Sequence, residues 1–452
     1  MTDAPRRPPR FAAFVLFAAL VVVYNANGRE VGTYDSQPAK FTARELAVNH
    51  TLRLDRTIAQ YPQLAERAAF AKDRQGHWRD AYPVLPALIA GVPAIVGHAT
   101  GLIDMDAPGA PNLVAALTAS VLTAAAVALV FVALTRIVPP VVAVIAALAL
   151  GLGTNYWTHV SRTLWAHETV AFGVALALWA WLKPAPELRP RDVIAGGIGL
   201  AMAGAARPQV TPMIAVLLLW LVARVGVRRA IAASAIIASA AAIVLVTNVV
   251  WFGHALGATP ALYSAQETIA HGTTGPFNAA PWVGAAGLLV SPSRGLFVFS
   301  PVWLVAFAGL GPLARVDRQF GLRSLVVASL VQFVVYSAFS VWWGGHTFGP
   351  RYMLDVLIPL SPVLALGLAR ARGSRATAWP ALILLAWSIG VAGLGAFVYP
   401  NDGWNTDPDD VDRDHARLWN VADSQIPRAL HQPPSPQNFD LFTRAAVRRP
   451  VE

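Results

Sequence analysis

Apolar residues fall into long runs along this chain, with no sustained alternation of apolar and polar positions. A helix needs roughly 20 apolar residues to cross a membrane. Runs approaching that length occupy 11–24, 112–135, 137–152, 169–182, 193–206, 209–223, 230–250, 296–312, 324–341, 354–369 and 377–398. Each predicts a membrane-crossing helix, eleven in all. A further apolar stretch, 82–103, is broken by Pro83, Pro86, Gly91, Pro93 and Gly97. It is expected as a re-entrant or interfacial helix. Polar residues concentrate in 25–81, 153–168, 251–295, 342–353 and 399–452. In the first of these, Pro38 suits the first position of a short helix reaching Val48, with Phe41, Leu46 and Val48 toward lipid. Leu54, Ile58 and Tyr61 mark a second amphipathic stretch.

Composition agrees with a polytopic membrane protein. Of 452 residues, 56% are hydrophobic and 13% charged, against about 25% charged in an ordinary soluble domain. Mean hydropathy is +0.50. This excludes a disordered chain and a typical soluble enzyme. With no cysteine, a disulfide framework, a thiolate nucleophile and a Cys-bound metal are excluded. The net charge of +10 carries no basic stripe with interleaved aromatics, so a nucleic-acid partner is not expected.

The charge instead sorts by side of the membrane. One alternating set of short segments holds Arg6, Arg7, Arg10, Arg136, Lys183, Arg189, Arg191, Arg224, Arg228, Arg229, Arg315, Arg318, Arg323, Arg370, Arg372 and Arg375. The opposite short segments hold four basic residues: Arg162, Arg207, Arg294 and Arg351. The positive-inside rule then places the N-terminus in the cytoplasm and the C-terminus outside. The Arg-rich start followed by an apolar run has the outline of a signal peptide. Without a small-x-small cleavage site it is expected as an uncleaved anchor. Four parts are expected: 1–24, tail and first crossing; 25–81, first outer loop; 82–398, transmembrane core; 399–452, outer tail. The tail is expected as a solvated linker. Its opening run of Asp407, Asp409, Asp410, Asp412 and Asp414 leaves a calcium site as the alternative.

The candidate chemistry lies on the outer side. Asp35 and Glu30 sit in the first outer loop. The loop 153–168 carries His159, Arg162, His167 and Glu168 among belt aromatics that include Trp165. Its spacing matches no strong metal signature. Arg207-Pro208 interrupts an apolar stretch. An arginine there needs a partner, water or an anion. Ser293-Arg294-Gly295 and the segment Trp342 to Asp355, with Arg351, each bring an arginine to a helix start, where free N–H groups favour an anion. All four outer arginines border crossings on one face, which points to a phosphate cradle.

The motifs Tyr-Pro-Val-Leu-Pro-Ala-Leu (82–88), Arg-Thr-Leu-Trp-Ala-His (162–167), Ser-Pro-Ser-Arg-Gly-Leu-Phe-Val-Phe-Ser-Pro (291–301) and Trp-Trp-Gly-Gly-His-Thr-Phe-Gly-Pro-Arg-Tyr (342–352) follow an Asp-bearing first loop. In this order they resemble the GT-C superfamily of membrane glycosyltransferases, near its bacterial protein-mannosyltransferase and aminoarabinose-transferase branch. The resemblance covers most of residues 1–400. It implies an all-α polytopic GT-C fold and transfer at the outer face of the plasma membrane from a sugar carried on a polyprenyl phosphate. It also implies a first-loop acid as base, the position of Asp35, with Glu30 a weaker second candidate. Arg207, Arg294, Arg351, Arg162 and Ser293 are the expected donor-phosphate contacts. His167, Glu168, Tyr82, Trp165, Trp343, His346 and Tyr352 are the expected substrate contacts. No cofactor is required, and a divalent cation is compatible. The partners are the lipid-linked donor, membrane lipid and a glycan, lipid or protein acceptor.

The chemistry is self-consistent. Glycosyl transfer passes through an oxocarbenium-like state. Arginines can hold a phosphate leaving group, and one carboxylate can take the acceptor's proton, which suffices for single displacement with inversion. The alternatives are a lipid-linked oligosaccharide ligase or polymerase, and a secondary transporter. A transporter would show charged residues near mid-membrane and repeated halves, and neither is visible. The topology predicts that a cysteine introduced at Arg136 resists an impermeant thiol reagent applied from outside; labelling there would reverse the orientation.

Overall fold

The computed structural model describes residues 10–28, 33–258, 262, 276–400 and 403–443. Each of the eleven expected segments contains helix. Among the described residues, five helices are long and apolar enough to cross a membrane: Ala110–Leu134, Pro208–Val225, Val227–Phe252, Arg351–Ala371 and Arg375–Val398. Pro301–Phe320 and Leu322–Ser337, bent by 114° at their junction, make a sixth if counted as one span. The number eleven is therefore not reached on these criteria. Shorter apolar helices include Arg10–Asn25, Leu85–Ala99, Pro140–Gly151 and Pro281–Val290.

Local sequence explains the boundaries. Proline stands in the first turn of many helices, where its missing N–H costs nothing. In Pro190–Ala206 the Asp192 carboxylate also accepts the Arg189 N–H at 3.0 Å, closing the helix start. Small residues let helices approach. A Cβ on Gly173 would lie 2.2 Å from the Gly199 carbonyl, so His167–Trp181 and Pro190–Ala206 touch backbone to backbone. Large apolar side chains such as Phe14, Leu219, Ile243 and Ile383 stay exposed on the outside. A surface of that kind is stable against lipid rather than water.

The helices carry polar groups at two ends. At one end Arg136 donates to the carbonyls of Trp179 and Leu182, and Arg224 donates to those of Trp181 and Lys183. The two helices His167–Trp181 and Pro190–Ala206 span the molecule. Their other ends, at His167 and Arg207, belong to the polar cluster described below.

The segment expected as the first outer loop departs from expectation. The helix predicted from Pro38 to Val48 is present as Gln37–Asn49. Phe41, expected toward lipid, is instead 1% exposed and packs with Leu54, Ile58, Leu64 and Phe70 in a small core of its own. An antiparallel hairpin of Phe70–Lys72 and Trp78–Asp80 completes this unit, with Phe70 opposite Asp80. Among the described residues these two short strands are the exception in an otherwise helical chain. The stretch 82–103 forms the helix Leu85–Ala99, which packs on Gln37–Asn49.

The tail is not a solvated linker. Trp404, Val411 and Leu418 are fully buried. The Phe439 N–H donates to the Ala26 carbonyl at 2.8 Å, and the Ser435 N–H donates to that of Phe397 at 2.8 Å. The acidic run masked this apolar content, because Trp404, Val411 and Leu418 are spaced too widely to form a recognisable run.

Candidate active site

Helix ends converge on one cluster. Asp35 lies in a turn just before Gln37–Asn49. His167 opens His167–Trp181, Arg207 caps the end of Pro190–Ala206, Tyr336 lies in the last turn of Leu322–Ser337, and Asp355 sits in the first turn of Leu354–Ala371. Arg351 follows a loop whose Gly344, Gly345 and Gly349 all have positive φ. Gly349 could hardly be another residue: a Cβ there would lie 2.6 Å from the Phe299 ring.

Arg351 is the centre. Its Nη2 donates to Asp35 Oδ2 at 2.9 Å, its Nε to His167 Nε2 at 3.3 Å, and its guanidinium lies 4.2 Å from the Trp165 ring centre. Because His167 Nε2 accepts, Nδ1 carries the proton, and it donates to Asp355 Oδ1 at 2.8 Å. Asp355 Oδ2 accepts from the Tyr336 hydroxyl and pairs with Arg207 Nε at 3.2 Å. Arg207 also sits between the rings of Tyr336 and Tyr352, at 5.8 and 5.6 Å. The result is one continuous chain of charge-assisted contacts: Asp35, Arg351, His167, Asp355, Arg207.

Asp35 is the half-exposed member, at 24%. Its Oδ1 accepts from the Tyr82 hydroxyl at 2.8 Å. Burial opposes its ionisation, but Arg351, Tyr82 and Arg207 together outweigh burial and hold its carboxyl below the usual carboxylate range. A small cleft opens here, lined by Asp35, Asp80, Tyr82, Trp165, Arg207, Gln209, Arg351 and Tyr352, among others. Beside it runs an apolar groove of about 300 Å³, walled by Leu88, Ile198, Met202, Ile243 and Trp251; Tyr82 and Pro83 line both.

The structure thus brings Asp35, Tyr82, Trp165, Arg207, Arg351 and Tyr352 together around one cleft, with His167 one contact behind. Other expected residues lie elsewhere. Arg294 is fully buried and donates to the carbonyls of Trp343, Ser293 and Gly345 and to the side chains of Gln425 and Asn405, at 2.6–3.0 Å. Its guanidinium fastens the tail to the loop. The expectation of a phosphate contact gives way to that role. Ser293 lies beside it, accepting the Gln425 N–H at 3.4 Å. Arg162 is buried against the carbonyls of Thr158 and Ala396. Glu168 is buried and accepts from the Thr169 hydroxyl at 3.1 Å, outside the cleft. Trp343 donates to Asp412 Oδ1 at 2.7 Å, and His346 meets Asp410 Oδ1 at 2.9 Å and Asp412 Oδ2 at 3.5 Å, so both face the tail. Glu30 lies outside the described residues.

Two carboxyl groups escaped the sequence reading. Asp355 stands four residues after Arg351, one helical turn, a spacing that signals a shared face. Asp80 precedes Tyr82 by two residues in the hairpin strand. Among the described residues, His346, Asp410 and Asp412 form the one group with the donor types and spacing to hold a cation. They are the residues that would carry the divalent ion compatible with the sequence.

No protein-family model and no curated protein sequence matches this chain. Solved structures do. The Archaeoglobus fulgidus oligosaccharyltransferase with a tethered acceptor peptide superposes with a TM-score of 0.50 at 11% identity, over 98% of this chain and 64% of that one. The same organism's oligosaccharyltransferase AglB, in complex with an inhibitory peptide and a dolichol-phosphate, gives 0.47 at 12% identity, over 97% and 64%. The chain spans less than two-thirds of the length of these structures. At such identities the first likeness is one of fold alone: the chain shares a mostly helical architecture with that structure.

Removing the Arg294 clamp should loosen the tail. Arg294→Ala is expected to cost on the order of 3 kcal/mol and to expose residues after 400 to limited proteolysis. A tail as resistant as the wild type's would show that the clamp is dispensable.

Proposed function

We propose that the chain is a membrane glycosyltransferase that moves a sugar from a polyprenyl-phosphate donor to an acceptor hydroxyl or amine at the outer face, with inversion. The observation that carries this reading is a carboxylate, Asp35, held by Arg351 and Tyr82 in a cleft that continues into an apolar groove. Charged head group and isoprenoid tail have complementary places side by side. The fold shared with an oligosaccharyltransferase supports the same chemistry.

The mechanism follows from competition for Arg351. Without donor, Arg351 neutralises Asp35, and a carboxylate so paired is a weak base. A donor phosphate entering between Arg207 and Arg351 offers the guanidinium a doubly coordinating partner. Asp35 is then released to accept a proton. The acceptor oxygen or nitrogen attacks the anomeric carbon, its proton passes to Asp35, and the sugar–phosphate C–O bond breaks with its electron pair going to the phosphate. Arg207 and Arg351 hold the charge that develops there. Tyr82, donating to Asp35, keeps the carboxylate aimed into the cleft. His167 and Asp355 lock both arginines in place.

The likeness to an oligosaccharyltransferase favours one alternative, in which the transferred group is a lipid-linked oligosaccharide. Turnover of mono- against oligosaccharide donors separates the two.

Asp35→Asn should reduce kcat by about 10²–10⁴-fold while changing donor affinity only a few-fold. Because its neighbours lower the Asp35 pKa, the base form persists as pH falls, and the acid limb of kcat/KM attributable to it should lie below about pH 4. Transfer near the wild-type rate in the Asn variant would rule Asp35 out as the base.

A further inference from the structure

Asp80 is the second carboxyl group of the cleft, and its surroundings are the reverse of those of Asp35. It closes the strand Trp78–Asp80 and is 2% exposed. The strand is held in register by Phe70–Lys72 and by the Ala81 N–H, which donates to Ala69. The hairpin is tied from outside as well. Arg79 pairs with Asp73 at 2.9 Å and lies over the Trp251 ring, and the Arg74 N–H donates to the Trp251 carbonyl at 2.7 Å. Asp80 is therefore fixed in the wall of the cleft.

Its two oxygens differ. Oδ1 accepts the Tyr82 N–H at 2.8 Å. Oδ2 is enclosed and has no hydrogen-bond partner among the described residues, while the residue lines the cleft. The charged and titratable groups facing the same space are Asp35, Arg207, Arg351, Tyr82 and Tyr352. Both arginines are turned to carboxylates of their own, Asp35 and Asp355, and Arg79 to Asp73. Burial pushes the Asp80 carboxyl well above the usual range, and the single Tyr82 N–H offsets this only in part. A buried carboxyl without a counter-ion is stable as the neutral acid, and a neutral acid is a hydrogen-bond donor.

We propose that Asp80 is a donor-recognition residue: its Oδ2–H donates a hydrogen bond to an oxygen of the sugar–phosphate head group bound in the cleft. This rests on the glycosyl-transfer reading above. It also separates the two carboxyl groups by role. Asp35, paired with cations, is the charged one and takes the proton. Asp80, unpaired and uncharged, cannot serve as a second nucleophile, so its presence does not convert the reaction to retention.

The test is the affinity of the wild type, Asp80→Asn and Asp80→Ala, in lipid nanodiscs, for a polyprenyl-phosphate sugar and for bare polyprenyl phosphate, from pH 6 to 9. Wild-type affinity for the sugar-loaded lipid should fall as pH rises and the Asp80 acid gives up its proton. Asp80→Asn keeps a donor at every pH. It should stay within about threefold of the wild type at pH 7 and lose the alkaline fall. Asp80→Ala should bind about tenfold more weakly. A loss confined to the sugar-loaded lipid places the recognised oxygen on the sugar, and an equal loss with bare lipid places it on the phosphate. Asp80→Ala binding like the wild type, or Asp80→Asn as weak as Asp80→Ala, would overturn the inference while leaving the glycosyl-transfer reading intact. A wild type that binds neither lipid would overturn that reading and this inference with it.

Discussion

A guanidinium enclosed among apolar helices must be paired, and the pairing of Arg351 with Asp35 organises the end of this protein that holds the cleft. The two residues lie 316 positions apart in the chain. Their contact fastens the first outer loop to the mouth of Arg351–Ala371. Through His167 and Asp355 it reaches Arg207, so four helix ends and the loop share one network. Breaking one member leaves its neighbours as buried, uncompensated charges, and that is far costlier than the net gain of any single pair. The cluster is therefore held as a unit. Trp165 beneath Arg351 adds an aromatic face to a cation that is already largely desolvated.

The same network explains how a stable structure can be reactive. In the proposed reaction Asp35, neutralised by Arg351 at rest, becomes a useful base once an anionic donor competes for Arg351. The hairpin supplies the contrast. Tyr82 touches the Asp35 carboxylate with its hydroxyl, and its N–H donates to Asp80. Tyr82 and Pro83 also form the rim shared by cleft and groove. A short turn of sequence thus sets the relation between the two carboxyl groups and the apolar groove.

Much of this was legible from the chain. The helices announce themselves by long apolar runs, and Asp35, Arg207 and Arg351 stand out because charge is scarce around them. What was hidden has physical reasons. Arg294 carries the same sequence signal as Arg351, an arginine among glycine and serine at a helix start. Only packing reveals that five acceptors from the loop and tail already surround it. Asp355 lies in a run otherwise apolar and reads as part of the helix until Arg207 and His167 are seen against it. The tail's buried tryptophan and aliphatic residues are scattered among aspartates, so no periodicity marks them. The hairpin is too short, at three residues per strand, for alternation to register. Phe41 was assigned to lipid from amphipathicity, and the hairpin core claimed it instead.

The most direct test is a structure of the protein in a lipid nanodisc with bound polyprenyl phosphate. The account predicts phosphate density between Arg207 and Arg351, Arg351 turned from Asp35 to the phosphate, and the isoprenoid chain along Ile198 and Ile243. Phosphate bound elsewhere, with the Asp35–Arg351 pair intact, would contradict it.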